Sequence, residues 1–243
     1  MVHHMHVNID EISGIQIEEG VIERQLLRRD QTASRNLEVK HYVLKRGQVT
    51  FLQENVEFQH YIISGCALFN GRYLHGETAI FVPGNKRFGE FEAHTLKHSG
   101  EGELRILSTI YHTPRSNMRW TKPRIKNLYE VPIGYSGMYA QQLFTEEEHA
   151  VMGALRMHSL DLQTHAPGIE LTTHKNPEEF GYFLRGTGEV YADSECFSIR
   201  PGSLVYTAEG VPHSIKNTSK TIPLQYLAFE FTEQDKSWSE MKA

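Results

Sequence analysis

The sequence predicts an all-β protein made of two tandem β-barrels. Many short segments rich in Val, Ile, Tyr and Phe alternate apolar and polar residues, and turns containing Gly or Pro separate them. Numerous short strands at even spacing are typical of a barrel or a sandwich. A weak repeat favours two copies of one module over a single large barrel. The recurring stretches are residues 60–65 with 181–186 and residues 76–83 with 202–208.

Most of the sequence carries the strand pattern, with seven clear examples, and one segment predicts a helix. The helix is expected at residues 145–152, because Thr145 stands before three consecutive glutamates as in a capping box. The predicted strands cover residues 37–44, 59–63, 104–111, 155–162, 181–185, 203–207 and 224–231.

The repeat also divides the chain into domains. We predict an N-terminal barrel over residues 1–113, a linker over residues 114–140 and a C-terminal barrel over residues 141–243. The linker carries several prolines and cations. Because the formal net charge of the chain is -5, we interpret the linker as a solvated connection rather than an anion-binding patch.

Composition excludes several classes of protein. Of 243 residues, 39% are hydrophobic and 23% charged, which is ordinary for a globular chain. No apolar run approaches the roughly 18 residues that a membrane helix needs, and the N-terminus has no apolar signal region. With the acidic balance, these features predict a cytoplasmic protein without nucleic-acid or membrane partners.

A few cysteines and histidines are predicted to have no functional role. Cys66 and Cys196 lie far apart in strand-like segments, so we expect two buried free thiols. His3, His4 and His6 are interpreted as part of a mobile N-terminal tail.

Spacing in the C-terminal half predicts a metal site. Thr172 and His174 are two residues apart, so on a strand they share a face. Glu179 opens the returning strand after a turn, and His213 follows the turn at Gly210. Two imidazoles and one carboxylate that converge in a barrel suit one divalent transition metal, namely Fe, Mn, Ni or Zn.

These spacings resemble the two motifs of the cupin superfamily, G(X)5HXH(X)3-4E(X)6G and G(X)5PXG(X)2H(X)3N. The matching positions are Gly168, His174, Glu179 and Gly186 in the first motif and Gly202, Gly210, His213 and Asn217 in the second. The resemblance implies two tandem cupin barrels, also called double-stranded β-helix or jelly-roll barrels. It also implies that His174, Glu179 and His213 hold a metal.

One ligand of the cupin motif is replaced in this chain. The second histidine of the first motif gives way to Thr172 or Asn176, depending on how the spacer is counted, so Thr172 or a water is expected in the fourth position. The alternative is that His174 and His213 are buried, hydrogen-bonded residues that hold no metal.

The N-terminal copy lacks these ligands. Phe58 stands at the position of Glu179, and Glu57 is one residue out of register and faces the other way. No histidine directly follows Pro83-Gly84, where the second motif has one. We therefore predict a structural barrel without metal, in which His60 is a hydrogen-bonded core residue and His94 has no role.

A degenerate first barrel and a metal-bearing second barrel are similar to (S)-ureidoglycine aminohydrolase-like bicupins, although the ligand set differs. We predict a metal-dependent enzyme in which a small polar metabolite chelates the ion, with a dioxygenase-type reaction. Hydrolysis, isomerisation or lysis, and a non-catalytic ligand-binding role, are the alternatives. Glu230, Tyr226 and Tyr206 are candidates for orienting substrate or for acid–base work, with core packing as the alternative for the tyrosines. A homodimer is implied by the resemblance alone.

Overall fold

A computed structural model of the chain describes residues 3–52, 56–83, 93–112, 123–133, 139–144, 158–168, 173 and 178–231. In these ranges the backbone forms twenty β-strands and three short 3-10 turns, at Ile9–Glu11, Arg29–Gln31 and Leu128–Glu130. The same ranges contain no helix that is long and apolar enough to cross a membrane. The predicted helix at 145–152 lies outside the described residues.

The strands follow the chain in this order. The first ten are β1 (His4–Asn8), β2 (Ile15–Glu18), β3 (Val21–Leu27), β4 (Leu37–Leu44), β5 (Gln48–Leu52), β6 (Val56–Ser64), β7 (Cys66–Phe69), β8 (Arg72–His75), β9 (Thr78–Val82) and β10 (Ala93–His98). The second ten are β11 (Leu104–His112), β12 (Arg124–Asn127), β13 (Tyr139–Phe144), β14 (His158–His165), β15 (Glu178–Arg185), β16 (Gly188–Ala192), β17 (Glu195–Ile199), β18 (Ser203–Thr207), β19 (His213–Asn217) and β20 (Leu224–Phe231). The seven predicted strands coincide with or overlap β4, β6, β11, β14, β15, β18 and β20.

Four sheets build two similar β-modules, which confirms the predicted fold class. The N-terminal module pairs a seven-stranded sheet, ordered β12-β9-β6-β11-β4-β3-β2, with a four-stranded sheet, ordered β5-β10-β7-β8. The C-terminal module pairs a six-stranded sheet, ordered β1-β18-β15-β20-β14-β13, with a three-stranded sheet, ordered β17-β16-β19. The shared order β9-β6-β11 and β18-β15-β20 is the structural form of the sequence repeat.

Two strands pair with a module other than the predicted segment in which they lie. Strand β1 pairs antiparallel with β18 of the C-terminal module, from His4 opposite Thr207 to Asn8 opposite Ser203. Strand β12, inside the predicted linker, pairs with β9 of the N-terminal module. The interpretation of His4 and His6 as a mobile tail is therefore wrong, because both lie in a paired strand.

A single apolar core joins the two modules. It unites buried residues of the N-terminal sheet, such as Tyr61 and Leu107, with buried residues of the C-terminal sheet, such as Phe180 and Leu204. Each module also has its own core. One face of β15 therefore packs toward the other module and the opposite face lines its own barrel.

The cysteine prediction holds only in part. Neither Cys66 nor Cys196 forms a disulfide, but Cys66 is partly exposed and Cys196 is exposed. The expectation of two buried thiols is wrong, because β17, which carries Cys196, is largely exposed.

Candidate metal centre in the C-terminal barrel

A row of polar residues crosses the inner face of the C-terminal sheet. In the antiparallel register, Glu179 on β15 lies directly opposite Thr207 on β18 and directly opposite Glu230 on β20. Residues that face each other across antiparallel strands point to the same side of the sheet. The three side chains therefore belong to one wall of the barrel.

His213 faces this row from the other sheet, as the first residue of β19. Its Nε2 lies 2.5 Å from Oε1 of Glu179, and its Nδ1 lies 2.8 Å from the carbonyl oxygen of Val211. A carbonyl can only accept a hydrogen bond, so Nδ1 carries the proton that is donated to it. In the neutral imidazole the lone pair is then on Nε2, which is the arrangement that metal-ligating histidines use.

Charge at this site also favours a cation. Burial acts to lower the pKa of His213, but the hydrogen bond and the negative charge of Glu179 raise it, with a further contribution from Glu230. The net effect is a pKa above the ordinary value for histidine. Two acidic side chains therefore stabilise positive charge at Nε2, and a metal ion can take the place of that proton.

The hydroxyl of Thr207 is an unexplained polar group beside Glu179. The residue is 3% exposed, and its Oγ1 has no hydrogen-bond partner among the described residues. A buried hydroxyl without a partner costs free energy, so it indicates that a water or a ligand group completes the site.

Several residues of this wall are partly exposed to solvent. The small residues Gly181 and Ala228 lie opposite each other, one step inward from Glu179 and Glu230, and both are partly exposed. Further inward the rings of Phe183 and Tyr226 pack with their centroids 5.0 Å apart. Gly181 and Ala228 thus separate the polar row from an aromatic floor formed by Phe183 and Tyr226.

The N-terminal barrel fills the same space. Counting the shared register, Phe58, Val82 and Ile110 occupy the positions of Glu179, Thr207 and Glu230. His60 and Ser108, both fully buried, stand where the C-terminal barrel has Gly181 and Ala228. The predicted match of Phe58 with Glu179 agrees with this register.

The structure separates the predicted catalytic residues. Glu230 belongs to the polar row. Tyr226 contributes its ring to the floor, and its hydroxyl lies 3.4 Å from Nε2 of His165. Tyr206 is on the opposite face of the sheet, because β18 directs Thr207 inward and Tyr206 into the core between the modules. There it donates a hydrogen bond to Glu178, so it does not line the candidate metal centre.

Two predicted ligands, Thr172 and His174, lie outside the described residues. Within the described part of the chain, no group of three or more His, Cys, Asp or Glu residues is placed to hold a metal. That part supplies His213 and Glu179, whose nitrogen and oxygen donors suit Fe, Mn, Ni or Zn. These donors fit the predicted divalent ion.

Sequence reasoning missed Thr207 and His4 as members of this wall. Thr207 immediately precedes Ala208, which stands where the second cupin motif has proline. The alternation of inward and outward residues along β18 could have placed Thr207 inward. His4 lies opposite Thr207, and its Nε2 is 3.3 Å from Glu195. No local signal indicates that residues 4–8 join a strand some 200 residues later in the chain.

Comparisons with known proteins agree with this architecture. Residues 159–230 match the family model described as Cupin domain. The structure of protein YlbA from E. coli superposes with a TM-score of 0.75 at 14% sequence identity, covering 98% of this chain and 95% of that one. The chain has the cupin fold. No curated protein matches the sequence significantly.

Two further cupin-fold neighbours give the same alignment over almost the whole chain. A protein of Pseudomonas aeruginosa named for induction by glyoxylate has a TM-score of 0.74 at 10% identity, covering 98% of this chain and 92% of that one. Oxalate decarboxylase from Bacillus subtilis has a TM-score of 0.69 at 16% identity, covering 98% and 79%. The latter protein contains Mn(II) centres. At these identities the likeness establishes the fold alone.

Proposed function

We propose that the C-terminal barrel is a metal-dependent enzyme site for a small polar metabolite. The metal is one divalent transition ion, and His213 and Glu179 are two of its ligands. His174, from the first cupin motif, is the proposed third ligand. The approach of Nε2 of His213 to within 2.5 Å of Oε1 of Glu179 is the observation that carries the proposal.

The chain's own residues supply binding and proton transfer. A divalent ion contributes Lewis acidity and open coordination positions for a chelating substrate. In this proposal the hydroxyl of Thr207, which lacks a partner among the described residues, bonds a polar group of that substrate, and Glu230 accepts or donates a proton.

The proposed reaction is dioxygenase-type, because a His/His/carboxylate set leaves coordination positions open and is the ligand set of non-haem Fe(II) oxygenases. Two cupin-fold neighbours are named for oxalate and glyoxylate, so small oxo- and hydroxycarboxylates that chelate a metal are the first substrates to test.

A second candidate is hydrolysis, isomerisation or lysis without dioxygen, as in the ureidoglycine aminohydrolase-like bicupins. The direct opposition of Glu230 and Glu179 favours it, since two carboxylates in one wall can divide the tasks of ligand and general base.

The test begins with metal content. Metal-stripped protein is reloaded with Fe(II), Mn(II), Ni(II) or Zn(II) without oxygen, and bound metal is measured for wild type, Glu179→Gln and His213→Gln. His98→Gln, in the N-terminal barrel, is the control. We expect one ion per wild-type chain, retained in the control and lost in both site variants.

The rate at which the metal-loaded protein converts small oxo- and hydroxycarboxylates, measured with and without dioxygen, then separates the reaction classes. Consumption of dioxygen with substrate supports the dioxygenase, and conversion without oxygen supports the second candidate. Bound metal that is unaffected by both site variants would contradict the proposed site.

A further inference from the structure

The N-terminal barrel contains a buried pair of histidines, one of which corresponds in register to His213 of the candidate metal centre. Nε2 of His60 lies 2.7 Å from Nε2 of His94, as Oε1 of Glu179 lies 2.5 Å from Nε2 of His213. His60 is fully buried and His94 is 5% exposed. His60 is a buried, hydrogen-bonded residue, as expected. His94, to which the sequence assigned no role, is its hydrogen-bonding partner.

His94 is the register counterpart of His213. Gly188 on β16 lies opposite Asn217 on β19, and the equivalent Ala67 on β7 lies opposite His98 on β10. Four residues before these partners stand His213 and His94. The N-terminal barrel thus keeps a histidine at the position of the second motif's ligand, and its partner His60 stands at the position of Gly181, one step inward from Phe58.

The surroundings of the pair define which ion it can hold. Nδ1 of His60 is 2.8 Å from the hydroxyl of Ser108, so a second contact orients the ring and leaves Nε2 directed at His94. The rings of Phe51 and Phe58 stack on His94 and His60, with centroids 5.0 Å and 5.5 Å apart. Within the described residues the pair belongs to no larger cluster of His, Cys, Asp or Glu.

Two neutral imidazole nitrogens, surrounded by phenylalanine rings, are suited to a soft monovalent cation. A divalent ion needs more ligands than this, and without a carboxylate its double charge is costly to bury. Cu(I) accepts two nitrogen donors in a line, and imidazole is a good copper ligand.

We propose that the N-terminal barrel binds one Cu(I) ion between Nε2 of His60 and Nε2 of His94. With metal–nitrogen bonds of about 2 Å, the two nitrogens separate to about 4 Å on binding. The proton that now lies between the rings moves to the Nδ1 atom of the imidazole that carries it, so each Nε2 presents its lone pair. This site is independent of the one proposed in the C-terminal barrel.

The test is a Cu(I) titration of metal-stripped full-length protein, without oxygen, in competition with the chelator bicinchoninate. Four proteins are compared: wild type, His94→Phe, His98→Gln and the double variant Glu179→Gln with His213→Gln. We expect one Cu(I) per chain in all except His94→Phe, whose affinity falls by at least about tenfold.

X-ray absorption at the copper edge of loaded wild type is the second measurement, and it decides the matter even if His94→Phe does not fold. Two nitrogen ligands in linear geometry support the proposal. It is overturned by three or more ligands, by wild-type binding no tighter than that of folded His94→Phe, or by loss of Cu(I) only in the double variant. The pair would then be a hydrogen-bonded element of the core.

Discussion

The hydroxyl of Tyr206 donates a 2.5 Å hydrogen bond to Oε1 of Glu178, on the face of the C-terminal sheet that packs against the N-terminal module. The same carboxylate accepts hydrogen bonds from the backbone N–H groups of Ala33 and Ser34, at 3.0 and 3.1 Å. Burial raises the pKa of Glu178, and these hydrogen bonds oppose that shift. A loop of one module is therefore attached to the residue that precedes Glu179 in the other.

Tyr206→Phe tests whether this attachment is structural. The variant keeps the ring and removes the donor to Glu178, so we expect the free energy of unfolding to fall by about 1–3 kcal/mol. Metal content should be unchanged, because Tyr206 faces away from the candidate centre. Denaturant unfolding and metal analysis measure both quantities, with Tyr191→Phe, near the surface of β16, as the control. Loss of metal at unchanged stability would instead place Tyr206 in the site.

Thr207→Val tests whether the buried hydroxyl of Thr207 contributes to substrate binding or to the stability of the fold. The hydroxyl of Thr207 is buried and has no partner among the described residues, so its removal should leave stability unchanged or raise it by about 1 kcal/mol. Substrate affinity should fall. Thr78→Val is the matched control, because Thr78 accepts a hydrogen bond from Asn127 at 3.1 Å and its loss should destabilise the protein. Equal destabilisation by the two substitutions would show that Thr207 has a partner.

Glu230→Gln separates proton transfer from metal binding. The substitution keeps the shape of the side chain and removes its charge, so metal should be retained while turnover falls by about 100-fold or more. Because the negative charge of Glu230 raises the pKa of His213, the variant should also lower that pKa in the metal-free protein. An NMR titration of His213 measures this shift, and Glu189→Gln on β16 is the control. An unchanged turnover rate would exclude Glu230 as the acid or base.

His41 should make the protein sensitive to acid. Both of its ring nitrogens are buried and lack partners among the described residues. Burial, and then the charges of Arg24 and Arg105, lower its pKa to about 4. The unfolded chain takes up a proton below about 6.5 and the folded chain does not, so this contribution to stability is complete above that pH.

As the pH falls from about 6.5 to about 4, the contribution of His41 decreases by about 1.4 kcal/mol per unit. Because burial also lowers the pKa of His60, His94 and His165, His41→Leu should reduce the slope of unfolding free energy against pH by the share of this one histidine, as measured by denaturant unfolding at several pH values. His98→Leu should leave the dependence as in wild type. An identical pH dependence in His41→Leu and wild type would show that His41 is protonated in the folded protein.

Spacing along the chain predicted that Glu179 and His213 converge, and the structure brings these two side chains together. Glu179 and His213 were recognised from motif spacings within 20 residues or so, and Phe58 was matched to Glu179 because both stand at a fixed distance before a turn glycine. Gly65 and Gly186, with φ of +85° and +83°, occupy those two turns. His94 was missed because a longer connection follows Pro83, and only the pairing of β10 with β7 reveals that it corresponds to His213.

The sequence by itself determined the strand segments and the repeated module, because the alternation of apolar residues and the turn-forming residues act over a few neighbours along the chain. It also determined which half keeps the ligand spacing. Only the tertiary structure decided that β1 completes the C-terminal sheet, that Tyr206 faces Glu178 while Thr207 faces Glu179, and that His60 meets His94. These relationships depend on which strands pair and in which register. That choice is made by packing between distant segments, and a shift of one residue would turn every side chain to the opposite face.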